Sequence, residues 1–172
     1  MIEDWPSEIV RAVIVRQHAA ALDQLYEYPL PDVAADEEVL VATERSTGAL
    51  DPRYRGFLRY ANGWRNFLGD TDLFGTEQLR GAPPMKSAEE GVAAIGDVSA
   101  EVGYDLMDMQ VIGASETTTD LWLIGRPGYG RAGRVLWFWG SDFEDFENFD
   151  EFFLSMIDYN RLRLQRLIGG EE

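Results

Sequence analysis

The order of the secondary-structure signals constrains this chain more than any other feature. Three short runs rich in Val, Ile, Leu and Trp follow a first half with helical patterns, and they span residues 109–114, 121–125 and 134–139. Gly, Thr and Pro separate these runs, and a second helical pattern follows the last one. Strands that succeed one another without intervening helices pair as antiparallel neighbours. The order therefore predicts an α+β fold, a single domain whose mainly antiparallel sheet is packed by N-terminal helices and a C-terminal helix.

The first predicted helix has apolar residues at helical spacing over about four turns, and Pro29 and Pro31 end it. Its predicted inward face comprises Val10, Val13, Ile14, Gln17, His18, Ala21, Leu22 and Leu25. Because His18 lies on this face, we expect a packed, hydrogen-bonded side chain there rather than a catalytic base or a metal ligand. It is the only histidine, so a Ser-His-Asp enzyme would have to use it.

Capping patterns predict further helices at 35–45, after Asp51, from Ser87 to about residue 102, and after Asn148. Residues 64–79 lose the helical period and are expected to hold a short extended piece and a turn. The predicted caps are Asp51 with Pro52, Ser87 with Glu90, and Asn148 with Glu151. The closing helix would bury Phe149, Phe152, Phe153, Met156, Ile157 and Leu164.

Composition and charge exclude several classes of protein. The 172 residues include no cysteine, which excludes a disulfide framework, a thiolate zinc site and a cysteine nucleophile. The net charge of −16 repels nucleic acid and anionic lipid, so we expect neither as a direct partner. The longest apolar run, 135–139, is too short to span a membrane, and no secretory signal is recognised. We expect a cytoplasmic protein.

Two segments resemble ligand motifs but lack the required context. Residues 128–133 match the glycine pattern of dinucleotide sites, yet a strand follows them where a helix N-terminus is needed. Residues 70–75 begin like a calcium loop, but Phe74 and Gly81 stand at two ligand positions. We therefore predict no cofactor and no metal.

An acidic run offers the strongest candidate for a surface with a function. Residues 142–151 contain six acids interleaved with Phe143, Phe146 and Phe149. One interpretation is a solvated loop with its phenylalanines turned inward. The other is an acidic, aromatic docking surface for a basic protein. A glycosidase needs two carboxylates on separated elements, which one dense loop supplies poorly, so no catalytic residue is predicted. Strand alternation places Trp137 and Trp139 on one sheet face, a binding surface if no helix covers it.

The segment Leu50-Asp-Pro-Arg-Tyr-Arg-Gly-Phe-Leu-Arg-Tyr-Ala-Asn-Gly-Trp64 resembles the signature of the SUKH superfamily. The similarity continues in order through Asp72–Leu79, the strand Arg134–Trp139 and the closing block Asn148–Leu154. It departs where Asp51 replaces the usual proline and Trp64 a second glycine. The resemblance covers residues 35–160 as a family core, preceded by an N-terminal helix within 1–30 and followed by a helix end and tail at 161–172.

The resemblance implies an α+β fold without catalytic residues. Bacterial and phage members are largely immunity proteins that neutralise toxins, many of them nucleases, and fungal members regulate cell-wall synthesis. We therefore expect a non-enzymatic immunity protein that occludes a basic toxin domain, with a regulatory or scaffold protein without a toxin as the alternative. Its oligomeric state stays open. The predicted partner-binding residues are Trp64, Asp70, Asp72, Asp142, Glu144, Asp145 and Glu147.

Overall fold

A computed structural model describes residues 1–103 and 105–170. Within these ranges no helix is both long enough and apolar enough to cross a bilayer. The α-helices are α1 (Trp5–Ala20), α2 (Glu37–Thr47), α3 (Pro52–Leu58), α4 (Thr76–Leu79), α5 (Met85–Ile95), α6 (Ser99–Val102) and α7 (Phe149–Gly169). The strands are β1 (Trp64–Leu68), β2 (Thr71–Leu73), β3 (Met109–Ser115), β4 (Leu121–Gly125), β5 (Val135–Trp139) and β6 (Asp142–Phe146).

The six strands form one antiparallel sheet whose spatial order equals their order in the chain. This confirms the α+β fold class, with helices packed on an antiparallel sheet. The three predicted runs are β3, β4 and β5, and β4 has the predicted bounds. Because every neighbouring pair of strands is antiparallel, the β1–β2, β3–β4 and β5–β6 turns lie at the same end of the sheet, although helices α4, α5 and α6 connect β2 to β3.

The interpretation of residues 142–151 as a loop is wrong for the first five of them. Asp142–Phe146 is strand β6, which pairs with β5 from Trp139↔Asp142 to Val135↔Phe146. Aspartate disfavours strands, but a two-residue turn after β5 returns the chain directly alongside that strand. Gly140 takes the left-handed conformation that this tight turn requires (φ +64°). Backbone pairing across the hairpin thus outweighs local propensity.

The closing helix α7 confirms the predicted cap and the predicted buried face except at Leu164, which is only partly buried. The Asn148 side chain accepts a hydrogen bond from the Glu151 amide at 3.1 Å. Buried aromatic residues of α7 pack on one face of the sheet, where the Phe152 ring lies 5.2 Å from that of Trp122 on β4. Helix α5 packs against β3 and β4, on the opposite face, where the Gly91 backbone approaches Leu121. The sheet is therefore sandwiched between unequal helical layers.

The predicted inward face of the first helix is wrong. Helix α1 ends at Ala20, and its buried residues are Trp5, Ala12, Arg16 and Ala19. Val10 and Ile14 point outward and are about half exposed, and His18 is exposed too, so it is not a packed histidine. The reason is Trp5, whose ring lies 5.1 Å from that of Phe153 on α7 and sets the rotation of the helix.

The predicted capping box at Ser87 is also wrong. Helix α5 begins two residues earlier, at Met85, with Pro84 at the cap position and no side-chain cap. It ends at Ile95 because Gly96 adopts a positive φ of 77°, and α6 is a separate short helix. The Pro83–Pro84 pair leads directly into this helix.

Two steps of the SUKH-like signature, Asn62-Gly63 and Phe74-Gly75, meet in space although ten residues separate them in the chain. A Cβ atom on Gly75 would lie 2.0 Å from the Asn62 carbonyl oxygen, so only glycine fits there. The Asn62 side chain accepts from the Thr76 amide at 2.8 Å, and the Tyr54 hydroxyl donates to the Phe74 carbonyl at 2.5 Å. The Asn-Gly and Phe-Gly steps thus form one interlocked junction.

A buried guanidinium connects α1 to β1. Arg16 is 1% exposed and donates to the carbonyl oxygens of Asn66 at 2.5 Å and Phe67 at 2.8 Å. No described carboxylate pairs with it, and burial lowers the pKa of Arg16 to about 10. The rings of Tyr28 and Trp64 each lie 5.3 Å from the guanidinium carbon. Arg16 thereby satisfies the carbonyls of an irregular strand, in which Asn66 has a positive φ of 52°.

Replacing this cation should cost much of the fold's stability. Arg16→Met keeps the apolar stem but removes the donor to the Asn66 carbonyl and one of the two side-chain donors to the Phe67 carbonyl. We therefore expect a loss of about 2–4 kcal/mol in urea unfolding. The matched control is Arg11→Met on the same helix, whose exposed pair with Glu8 should contribute less than about 1 kcal/mol. Equal unfolding midpoints for the two variants would contradict this role.

Candidate functional site

The β5–β6 hairpin presents aromatic and acidic side chains on one face of the sheet. Trp137 and Trp139 share that face as predicted, with ring centroids 4.9 Å apart. The register Trp137↔Glu144 and Trp139↔Asp142 places both acids beside them. Trp139 is 37% exposed, since helix α7 does not cover the end of this face.

Tyr159 of α7 borders these residues and anchors them. Its ring meets Trp137 edge-on at 5.4 Å, and its hydroxyl donates to Glu144 Oε2 at 2.8 Å. Burial, together with the carboxylate of Glu144, raises the pKa of Tyr159. The Trp137 indole N–H donates to Asp120 at 2.7 Å. The tryptophan–acid patch, as we name it, is formed by Trp137, Trp139, Asp142, Glu144 and Tyr159.

The acids of β6 and the residue after it do not share one face. Asp142 is exposed, and neither it nor Glu144 forms an ion pair with a described residue. Asp145 points to the opposite face, where its carboxylate lies 2.9 Å from the Arg134 guanidinium. Glu147 lies past the end of the strand and is exposed. The structure therefore places two of these four predicted residues, Asp142 and Glu144, in the patch.

Asp70 and Asp72 lie elsewhere and have local structural partners. Asp70, in the β1–β2 turn, accepts hydrogen bonds from the hydroxyls of Ser115 and Thr117. Asp72 on β2 is half-buried and accepts from the Asn66 amide at 2.7 Å. Since β2 and β6 are four strand positions apart, roughly 19 Å, these acids do not join the patch. The six predicted acids therefore do not lie on one face of the sheet, and their role in binding a partner stays a prediction.

Trp64 is not an exposed anchor for a partner. It is 1% exposed, and its indole N–H donates to the Pro29 carbonyl at 2.9 Å. Its ring packs 5.1 Å from that of Phe67. The prediction for Trp64 is wrong because the position after Asn62-Gly63 opens strand β1, whose first side chain points into the core.

Sequence reasoning missed Tyr159 and Asp120. Tyr159 lies seven residues after Phe152 on α7, a helical spacing that would have placed it near the same side of the helix. Asp120 falls in the hydroxyl-rich β3–β4 loop, where the Ser115 hydroxyl accepts hydrogen bonds from the Thr117 and Thr118 amides. No local pattern signals the bond between Asp120 and Trp137.

A second feature is a cavity of about 1110 Å³ beneath α5. Its apolar lining includes Met85, Val92, Met109, Val111 and Leu123. Its charged lining is mixed: Arg80, Lys86 and Arg126 with Glu89, Asp97 and Asp105.

The described titratable groups do not give this cavity a catalytic character. Burial raises the pKa of the carboxyl groups of Asp32, Asp51 and Asp72, but none of these lines it. Within 1–103 and 105–170 no group of three or more His, Asp or Glu residues could hold a metal ion. The absence of enzymatic activity stays a prediction.

The comparisons with known proteins do not indicate a function for this chain. No family model matches the chain, and no curated protein matches it. The SUKH likeness therefore rests on the quoted motifs. What the structure adds is that two of those motifs, around Asn62-Gly63 and Phe74-Gly75, are in contact.

The half-buried carboxyl of Asp72 should make stability depend on pH. Burial, and to a lesser extent Glu116 and Asp70, raise the pKa of Asp72. A carboxyl with a folded-state pKa above its unfolded value disfavours folding once ionised, and this penalty disappears as pH falls to 3.8 and below. Asn keeps the acceptor for the Asn66 amide.

We therefore expect Asp72→Asn to be more stable than the parent protein at pH 7. Urea unfolding of both proteins between pH 3 and pH 7 should show this advantage shrinking towards the acid end. An advantage that stays constant across that range would mean that the ionisation of Asp72 carries no penalty.

Proposed function

We propose that this chain is a binding protein of the immunity type, similar to the SUKH superfamily, that neutralises a basic toxin domain by occluding it. The proposal replaces the broad acidic surface expected from the sequence with the tryptophan–acid patch. It requires no catalytic residue, metal or cofactor.

One observation carries the proposal. Trp139 is partly exposed next to Asp142, a carboxylate that has no cationic partner among the described residues. Large aromatic side chains supply much of the binding energy at protein interfaces, and complementary charge speeds encounter. A lysine or arginine from a partner could stack on the Trp139 indole while pairing with Asp142.

The overall charge favours the same class of partner. With a net charge of −16, the protein attracts a basic surface over a distance set by the ionic strength. Nuclease-type toxin domains carry such a surface because they bind phosphate backbones. Trp137 and Tyr159, fixed by Asp120 and Glu144, hold the patch in shape before a partner arrives.

The test uses two matched pairs of variants. Affinity capture with the wild-type protein would supply the partner, which is then purified for kinetics and for growth-rescue assays. Trp139→Ala should weaken binding by about 10-fold or more, whereas Tyr60→Ala, another half-exposed aromatic, should not.

A second pair of variants, each reversing one charge, tests the electrostatic contribution to association separately. Asp142→Lys should slow association several-fold at low salt, whereas Glu38→Lys, an equal change of charge on α2, should slow it less. The difference should disappear as salt rises. If each patch variant and its control had equal effects on binding, the interface would lie elsewhere. A captured partner that is not toxic would favour the regulatory alternative.

A further inference from the structure

We infer that the open edge of β6 receives an extended segment of the basic partner as a seventh strand of the sheet. This rests on the proposed function and deepens it, since it specifies how the partner is held. Two observations support it: the two edge strands of the sheet differ in how their backbone groups are hydrogen-bonded, and β6 is negatively charged.

The hairpin geometry determines which backbone groups of β6 face outward. Trp139 and Asp142 close a two-residue turn, so they must form a hydrogen-bonded pair. Bonded pairs alternate along the ladder, which directs the backbone groups of Glu144 and Phe146 towards β5 as well. The N–H and C=O groups of Phe143 and Asp145 consequently point away from the sheet.

These outward groups have no hydrogen-bond partner among the described residues. The opposite edge differs, because side chains donate hydrogen bonds to the carbonyl oxygens of β1. Arg16 donates to those of Asn66 and Phe67, and Asn160 on α7 also donates to that of Phe67 at 3.0 Å. Unpaired edges accept added strands, and proteins usually block them with charged side chains, proline or a bulge. β6 has no proline and no bulge, and its charged side chains are all acidic, so they repel an acidic strand but not a basic one.

Charge complementarity identifies the occupant. Asp142 and Glu144 lie on one face of β6, so side chains of an added strand would meet carboxylates there, whereas Asp145 on the other face is already paired with Arg134. A second copy of this chain would bring its own acids opposite these, which is repulsive. A strand with basic residues is instead attracted. The acids therefore exclude self-pairing while admitting a basic segment.

The test uses a synthetic probe, a seven-residue peptide of alternating lysine and valine with blocked ends. Added to the full chain, it should slow hydrogen exchange at the Phe143 and Asp145 amides at least 10-fold. The Glu144 and Phe146 amides, already bonded to β5, should change little. A control peptide of the same sequence with an N-methyl group on every backbone nitrogen keeps the charge but has no N–H to donate from either edge, and it should bind at least 10-fold more weakly.

A variant pair tests the same edge from the protein's side. Asp145→Pro removes an outward N–H without removing a bond to β5, and Asp145→Asn removes the same charge but keeps that N–H. We expect Asp145→Pro to bind the peptide several-fold more weakly than Asp145→Asn. Amide spectra of both variants must first show an intact β5–β6 ladder. If they do not, the comparison of the two peptides on the unmodified protein decides whether a strand is added.

Each unfavourable result overturns the inference. Failure of the peptide to bind, binding without protection at Phe143 and Asp145, or equal binding of the N-methylated peptide would each exclude strand addition. The proposed function is decided separately by Trp139→Ala and Asp142→Lys against the captured partner, so it can stand when this inference fails.

Discussion

The architecture depends on one buried cation that has no described counter-ion. The buried Arg16 guanidinium contacts carbonyl oxygens and the faces of Tyr28 and Trp64 in place of water, and burial lowers its pKa. Buried charges are tolerated when they are hydrogen-bonded, and here the terminal guanidinium nitrogens donate to carbonyls of β1, whereas Nε has no partner among the described residues. Asn160 shares the Phe67 carbonyl, so α1, α7 and β1 meet at one oxygen atom. The same arrangement closes one edge of the sheet.

The fold class and most elements followed from local chemistry. The apolar runs at β3–β5 and the Asn148 cap carry strong local signals, and each formed as expected. The errors share a cause, since tertiary contacts overrode local patterns. Trp5 rotates α1 away from its more obvious apolar stripe, and pairing with β5 makes a strand of an acidic run.

The candidate site was predictable only in part. Alternation along β5 placed Trp137 and Trp139 together, because a strand's two faces can be read from sequence. The same rule, applied to the acidic run as a strand, would have separated Asp145 from Asp142 and Glu144. Contacts such as Tyr159 with Glu144 join residues from different elements, and no spacing along one element encodes them.

The distribution of the five tryptophans gives the molecule an optical reporter of its own. Trp5, Trp64 and Trp122 are buried, Trp137 is partly covered, and Trp139 alone is substantially exposed. Water around an indole shifts its fluorescence to longer wavelength, so red-edge emission comes mainly from Trp139. Docking at the β5–β6 hairpin would therefore shift that emission to shorter wavelength without a label, whereas binding in the cavity beneath α5 would leave it unchanged.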